Sequence, residues 1–413
     1  MMKKILICTN HFDPEEFRCN DLAFELSLRG HKVTVLTAIP DYPKGQFHKG
    51  YGIFSKRIET VNGVKIFRSF IIPRGKGGGL RLMINYVSSF LAQCWDAFLM
   101  GLFGRYDYVL VHETSPVMVG VPGVIVAKMK HIPMDFWVLD LWPESLQDAG
   151  GINNTKVLGF FGKLTTWIYK HSNHILISSR GFKESICEKG DFESKLVYFP
   201  NWADVALAGD STYKLPPMPE GFKVMFAGNI GEAQDMDHLM EAALELKDEK
   251  DIHFCIVGDG RKRSWVEAYI KDNGLEETVH LFGRHPIEAM PAFFNAADVM
   301  LVTLKDSRIF NRTAPAKIQA YMNAGKPLAA MMNGEGPAVI AEAQCGLSVA
   351  AGDSKAFAEL IKKMQLMKKE DLMEMGVKGK EYCSEHFSFQ KSIESIESLM
   401  DNDWATTLYI NSI

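Results

Sequence analysis

The chain has 413 residues, 47% of them hydrophobic and 23% charged, with a formal net charge of −4. That length exceeds one ordinary core and points to two domains of comparable size, while the near balance of charge excludes a global basic field for nucleic acid. Seven scattered cysteines, odd in number and never spaced as CxxC, fit a reducing compartment and exclude a disulfide framework or cysteine zinc site.

The opening MMKKILICTNHF has an apolar run too short for a signal peptide, so it reads as a first strand and the protein as cytoplasmic. Five further β-rich runs follow in the first half: KVTVLTA, VKIFRS, DYVLVHE, DFWVLD and HILISS. Several are continuously apolar, as strands buried on both faces should be. Between the first two lies DLAFELSLRGH, a helical pattern with Leu22, Leu26 and Leu28 among its apolar positions and Gly30 closing it.

Residues 82–103 carry a single charge, Asp96, and have the length of a membrane span. Asn85, Ser88, Ser89, Gln93 and Asp96 interrupt the run at helical spacing, which argues against a span. The segment fits a helix packed against a sheet. A second reading docks part of it on a bilayer, with Arg74, Lys76 and Arg81 toward anionic lipid.

Proline and glycine mark a linker around 203–221, and the strand–helix plan then repeats with KVMFAG, IHFCIVG, VHLFGR, VMLVTL, LAAMM and GLSVA. Strands alternating with helices imply parallel sheets wound by right-handed crossovers. The expected architecture is therefore α/β, with two doubly wound, Rossmann-like domains over 1–203 and 221–387. A terminal helix over 388–413 has no sheet of its own to serve and is expected to cross back to the first domain. Ligands of open parallel sheets bind outside the strand carboxyl ends, so two facing domains would share one cleft.

Three glycine loops end successive strands of the second half: GNIGEAQ after KVMFA, GDGRKR after IHFCIV, and FGR (282–284). Any one alone is an ordinary strand-to-helix turn. Together, with Arg261, Lys262, Arg263 and Arg284 at their mouths, they favour a phosphorylated ligand at Gly228, Gly231, Gly258 and Gly283. Helix amides near Gly231–Ala233 would face it. No loop completes GxGxxG or GxxxxGK[ST], which disfavours a nicotinamide cofactor and excludes a P-loop. DMD at 235–237 sits at a helix start, where Asp235 reads as an N-cap, so no metal and no cofactor are expected. In the first half, DLWPES places Asp140 and Glu144 at a strand's carboxyl end, and HETSP does the same for His112 and Glu113. Asp140 either caps its turn or serves as a carboxylate for an acceptor hydroxyl. Of the HETSP pair, Glu113 is the stronger candidate.

The order HFDPEEFRCNDLA, RGHKVTVLT, PDYPKGQFHKGY, DLWPES, PNWAD, FAGNIGEAQD, VGDGR, FGR and APAKIQAYMNAGKP resembles family 4 glycosyltransferases of the GT-B fold over nearly the whole chain. The nearest subgroup is that of bacterial L-fucosamine transferase-like and colanic-acid-type enzymes of surface polysaccharide synthesis, capsule and O-antigen included. The resemblance implies a retaining, metal-independent hexosyltransferase. Its donor would be a nucleotide-diphosphate sugar, an N-acetylated deoxyhexose within range and UDP favoured over GDP. Its acceptor would be a saccharide or polyprenyl-linked one at the inner face of the membrane. Where the family places Arg and Lys in the first glycine turn, this chain has Asn229 and Gln234. The family's Glu-x7-Glu falls on Arg312 and Ala320, and its cleft histidine on Asp140. The missing positive charge is expected from Lys317 first, then Arg312 or Arg261. A nucleotide-sugar epimerase on the same fold and a non-catalytic nucleotide-sugar binder are the alternative readings.

Overall fold

Continuous apolar runs become the inner strands of two parallel sheets, each buried on both faces by helices. The computed structural model describes residues 1–401 apart from 76–77, 149–150, 205–206, 208 and 210. It divides into two units, Met1–Pro200 with the chain from Gln390 onward, and Asn201–Phe389.

Unit 1 holds β1 (Lys4–Thr9), β2 (Lys32–Ala38), β3 (Ile58–Val61), β4 (Val64–Ser69), β5 (Tyr108–Glu113), β6 (Met134–Val138), β7 (His174–Ile177) and β8 (Leu196–Tyr198). The sheet order is β3-β4-β2-β1-β5-β6-β7-β8. All pairs are parallel except β3–β4, an antiparallel hairpin turned at Asn62-Gly63, whose φ values of 49° and 80° suit a two-residue turn. Strand order reverses between β1 and β5. A parallel sheet opens a crevice at such a reversal, so residues following Thr9 and Glu113 stand at its mouth.

Unit 2 holds β9 (Phe222–Ala227), β10 (Ile252–Val257), β11 (Val279–Gly283), β12 (Val299–Thr303), β13 (Leu328–Met331) and β14 (Gly346–Val349), in the order β11-β10-β9-β12-β13-β14. Every pairing is parallel. Here the reversal lies between β9 and β12, beside the loop that begins at Gly228. Val224, Phe226, Phe254 and Leu301 fill one face of this sheet, while Met225, Cys255, Met300 and Tyr321 fill the other.

The last helix, Phe389–Asp401, packs on unit 1. Ile393, Ile396, Leu399 and Met400 are buried, and Glu397 accepts from Arg29 at 2.8 Å. The remainder of the expected 388–413 helix lies outside the described residues.

Candidate active site

In unit 2 the three glycine loops abut one another backbone to backbone. The Gly228 amide donates to the Val257 carbonyl and the Gly258 amide to that of Gly283, both at 2.8 Å. Gly258 has φ +142°, and a Cβ there would lie 1.9 Å from the Gly228 carbonyl oxygen, so only glycine fits. A Cβ on Gly228 would meet Lys317 Cε at 2.8 Å. The glycine thus makes room for a lysine stem.

Lys317 begins its path in the Ala316–Asn323 helix, entered through Pro315. Its ammonium lies 3.6 Å from the Phe226 ring centroid and donates to Gln234 Oε1. No carboxylate among the described residues pairs with it, and burial alone lowers its pKa to about 7. Gln234 is held in turn by Thr303, whose hydroxyl donates to the Gln234 carbonyl. Tyr321 pins the preceding strand end, its hydroxyl accepting from the Ala227 amide at 3.1 Å and donating to the Ala227 carbonyl at 3.0 Å. Asn229 folds toward Gly231, its Nδ2 2.6 Å from where a Cβ would stand. Lys317, Gln234, Asn229 and Gly228 are therefore one cluster.

Several expectations for this loop need correcting. The helix starts at Met236, after a short 3-10 turn over Glu232–Gln234, and the Gln234 amide is spent on the Gly231 carbonyl. No long helix begins at Gly231. Asp235 does not cap: it adopts φ 48°, and its carboxylate accepts from His238 Nδ1 at 2.8 Å. Asp237 pairs with Lys262 and, at 3.5 Å, with Lys305. Of the GDGRKR cations, Lys262 is thereby matched by acid, and Arg263 pairs with Glu267 at 2.8 Å. Arg261 and Arg284 are exposed at their loop mouths, and Arg312 closes the short Arg308–Asn311 helix.

In unit 1, Asp140 follows β6 and is half-buried. Its carboxylate accepts from Ser115 Oγ at 2.7 Å, and Ser115 accepts from Trp142 Nε1 at 3.1 Å. Glu113 lies fully buried beneath it. One of its oxygens takes the backbone amides of Leu139 and Asp140, at 3.1 and 3.0 Å. Burial first, and the Asp140 charge second, push Glu113 well above the usual carboxylate range. It holds the Asp140 loop and is sealed from solvent, so the expectation of a catalytic carboxylate there gives way to a positioning role. Glu144 has Lys189 at 2.7 Å and Ser185 at 2.6 Å on one of its oxygens. Burial raises its pKa, but the lysine and serine outweigh that and hold it below the ordinary value. His112 is buried against Trp137 with its pKa lowered to about 3 by burial, so it stays neutral.

Residues the sequence reading passed over complete this site. Glu15 accepts from His11 Nδ1 (2.8 Å) and from the amides of Asp41 and Tyr42 (2.9 and 2.7 Å). Asp41 accepts from the Arg74 amide (3.0 Å) and Asn85 Nδ2 (2.9 Å), with the Arg74 guanidinium at 3.6 Å. HFDPEEF and PDYPKG thus meet in one buried polar network. It borders a narrow cavity lined by Asn10, His11, Arg74, Asn85, Gln93 and Ser115. Arg74 is turned inward, not toward lipid as the second, bilayer-docking reading placed it, and Lys76 lies outside the described residues. The signal was available: both motifs carry acids and aromatics in loops after strands, where a solvated role would not need them.

Two parallel α/β units, each with its polar cluster at the strand-order reversal, make up the GT-B fold. The solved sucrose-phosphate synthase from Thermosynechococcus elongatus superposes with TM-score 0.72 over 98% of this chain and 99% of that one, at 15% identity. Anabaena HepE, solved in complex with UDP, does so with TM-score 0.67 over 97% and 100%, at 13% identity. The protein named for colanic acid biosynthesis as glycosyl transferase WcaI in Escherichia coli (strain K12) is 25% identical, covering 73% of this chain and 77% of its own. Residues 221–365 match the family model described as glycosyl transferases group 1. The chain is a glycosyltransferase, with a group 1 domain in unit 2.

Proposed function

We propose that this enzyme transfers a sugar, with retention and without a metal, from a UDP-sugar to a saccharide or polyprenyl-linked acceptor in bacterial surface polysaccharide synthesis. The observation that carries the reading is the Lys317–Gln234–Gly228 cluster. A buried lysine without an acid partner, beside abutting glycine loops, is poised to gain from a diphosphate. UDP in the HepE structure supports the donor class, and the WcaI name supports the polysaccharide setting. Metal independence is supported by the DMD carboxylates, which are matched by His238, Lys262 and Lys305 and so offer no open pair to a cation. Asp140 is assigned to the acceptor hydroxyl, with Glu113 and Ser115 setting its position. The enzyme would work in the cytoplasm at the inner membrane face.

Incubation with single UDP- and GDP-sugars, each with and without a polyprenyl-linked acceptor and a chelator, tests this. Transfer from a UDP-sugar that survives chelation and yields the donor's anomeric configuration is expected. Isomerised sugar without acceptor, or transfer only with added divalent cation, would refute the corresponding part.

A further inference from the structure

The Gly79–Phe103 helix wears its polarity inside out. Asn85, Ser89 and Gln93 are buried, while Ile84, Val87, Leu91, Trp95, Phe98 and Leu102 face solvent, Leu91 and Trp95 more than 60% exposed. A soluble monomer rarely leaves so long an apolar stripe open. The strand order explains which helices are its neighbours. The crossovers β4 to β5, β5 to β6 and β6 to β7 all step in one direction, so right-handed connections put their helices on one face of the sheet. These are Gly79–Phe103, Gly120–Lys130 and Thr155–His171. Side-chain contacts tie them together: Lys130 Nζ donates to the Leu102 carbonyl at 3.4 Å, and Lys128 Nζ stands 5.6 Å from the Trp167 ring centroid.

The third helix adds charge. Lys156, Phe160, Lys163, Trp167 and Lys170 recur at spacings of four and three and are all exposed. Together the three helices hold six Lys and Arg and a single carboxylate, Asp96, in a chain that is net negative. Asp96 is turned away to Ser69, which donates at 2.6 Å. Exposed aromatics between lysines, beside a long apolar stripe without acids, complement an anionic bilayer surface. Two copies of this face would set lysine against lysine. Among the described residues no helix is long and apolar enough to cross a membrane.

We infer that the layer formed by Gly79–Phe103 and Thr155–His171 docks flat on a bilayer rich in anionic headgroups, and that the acceptor is a saccharide carried on a lipid of that bilayer. The second part rests on the proposed transfer reaction. Its structural link is the same helix: Asn85, Tyr86, Ser89 and Gln93 line the cavity that also includes Ser115, the hydrogen-bond partner of Asp140. The Asn85 and Gln93 carbonyl oxygens find no partner among the described residues, leaving acceptors for sugar hydroxyls. The acceptor site and the docking stripe are thus opposite faces of one helix, about 10 Å across.

The test is co-sedimentation with vesicles of phosphatidylcholine alone and of phosphatidylcholine mixed with phosphatidylglycerol, for wild type, Leu91→Glu/Trp95→Glu and Lys156→Ala/Lys163→Ala/Lys170→Ala. Thermal melting and UDP affinity of each variant control for folding. Binding to the mixed vesicles is expected, falling on the order of a hundred-fold in the lysine variant at about five-fold per charge. It should be lost in the Glu variant. Transfer to a lipid-carried acceptor should fall in parallel, with transfer to a short water-soluble version retained. Equal binding to both vesicle types, or a wild-type dimer that dissociates in the Glu variant, would overturn the docking surface. Docking without any transfer would leave the surface standing and remove the enzymatic reading instead. Unchanged transfer to the lipid-carried acceptor in variants that no longer bind vesicles would overturn the acceptor class.

Discussion

At the scale of single residues, the two assigned roles make opposite demands on charge. In the proposed reaction Asp140 must be reachable by an acceptor hydroxyl, which its half-buried position beside Ser115 allows. Asp140→Asn is expected to cut turnover roughly 10²–10⁴-fold while UDP affinity stays the same. Near-normal turnover would show the carboxylate to be dispensable. Glu113 needs only to accept two amides, so Glu113→Gln should keep turnover within a few-fold. Glu113→Leu leaves the Leu139 and Asp140 amides unpaired, costing about 1–3 kcal/mol of stability with a matching loss of rate. If Gln were as damaging as Leu, Glu113 would be acting through its charge.

Lys317 shows the reverse case. Burial holds its pKa near 7, against an unfolded value near 10.5, so the unfolded chain binds more protons between those limits. Stability from this residue therefore rises with pH from about 7 to 10.5, and below 7 the full penalty applies. Lys317→Met should raise the melting temperature at neutral pH and do so less as pH approaches 10.5. The same substitution should weaken UDP binding roughly ten- to a hundred-fold, since a charge-assisted phosphate contact is worth about 1.5–3 kcal/mol. In the wild type, UDP affinity should decline as pH rises above about 7 and the ammonium loses its proton. Titration calorimetry across pH 6–9 checks the direction. A wild-type affinity flat across that range would move the charge to Arg312 or Arg261.

At the scale of elements, the glycine loops function as a stacked unit. Gly258→Ala would bring a Cβ onto the Gly228 carbonyl and force a left-handed backbone on alanine. A loss of about 2 kcal/mol or more is expected, along with UDP affinity, because Gly228 also bounds the Lys317 stem. Chemical denaturation with and without UDP measures both. A variant as stable as the wild type would mean that the loops are not held against one another. The strands were legible because runs such as KILICT and VMLVT are apolar except at their ends. The edge strands β3 and β8 were not: IETV and LVY are short, and all their positions but Val197 are at least partly exposed. The Asn62-Gly63 turn did announce the β3–β4 hairpin, and was overlooked among the parallel crossovers.

At the scale of the whole molecule, the last helix belongs to the first unit's fold although it follows the second in sequence. Ending the chain at Phe389 strips Ile393, Ile396, Leu399 and Met400 from unit 1. At about 1.5–3 kcal/mol per buried side chain, that loss is comparable to a domain's total of about 5–15 kcal/mol. The truncated chain should therefore melt in two steps, with unit 1 unfolding first and UDP still protecting unit 2. A single cooperative transition shifted by UDP would refute that independence.

Period and punctuation in the sequence were enough to determine two wound parallel sheets and their glycine loops, because strand burial and turn geometry are local demands that each residue meets alone. Lys317, expected to supply the cation the first glycine turn lacks, lies beside Gly228 and Gln234. What only tertiary structure decided is which charges remain unmatched. Glu144, Asp235, Asp237 and Arg74 all look functional along the chain, and each is answered by a partner brought from a distant loop or the next turn: Lys189, His238, Lys262 and Asp41. The outward turn of the Gly79–Phe103 stripe was hidden for the same reason. A helix's apolar positions name a face, but only the packing of its neighbours decides whether that face is buried.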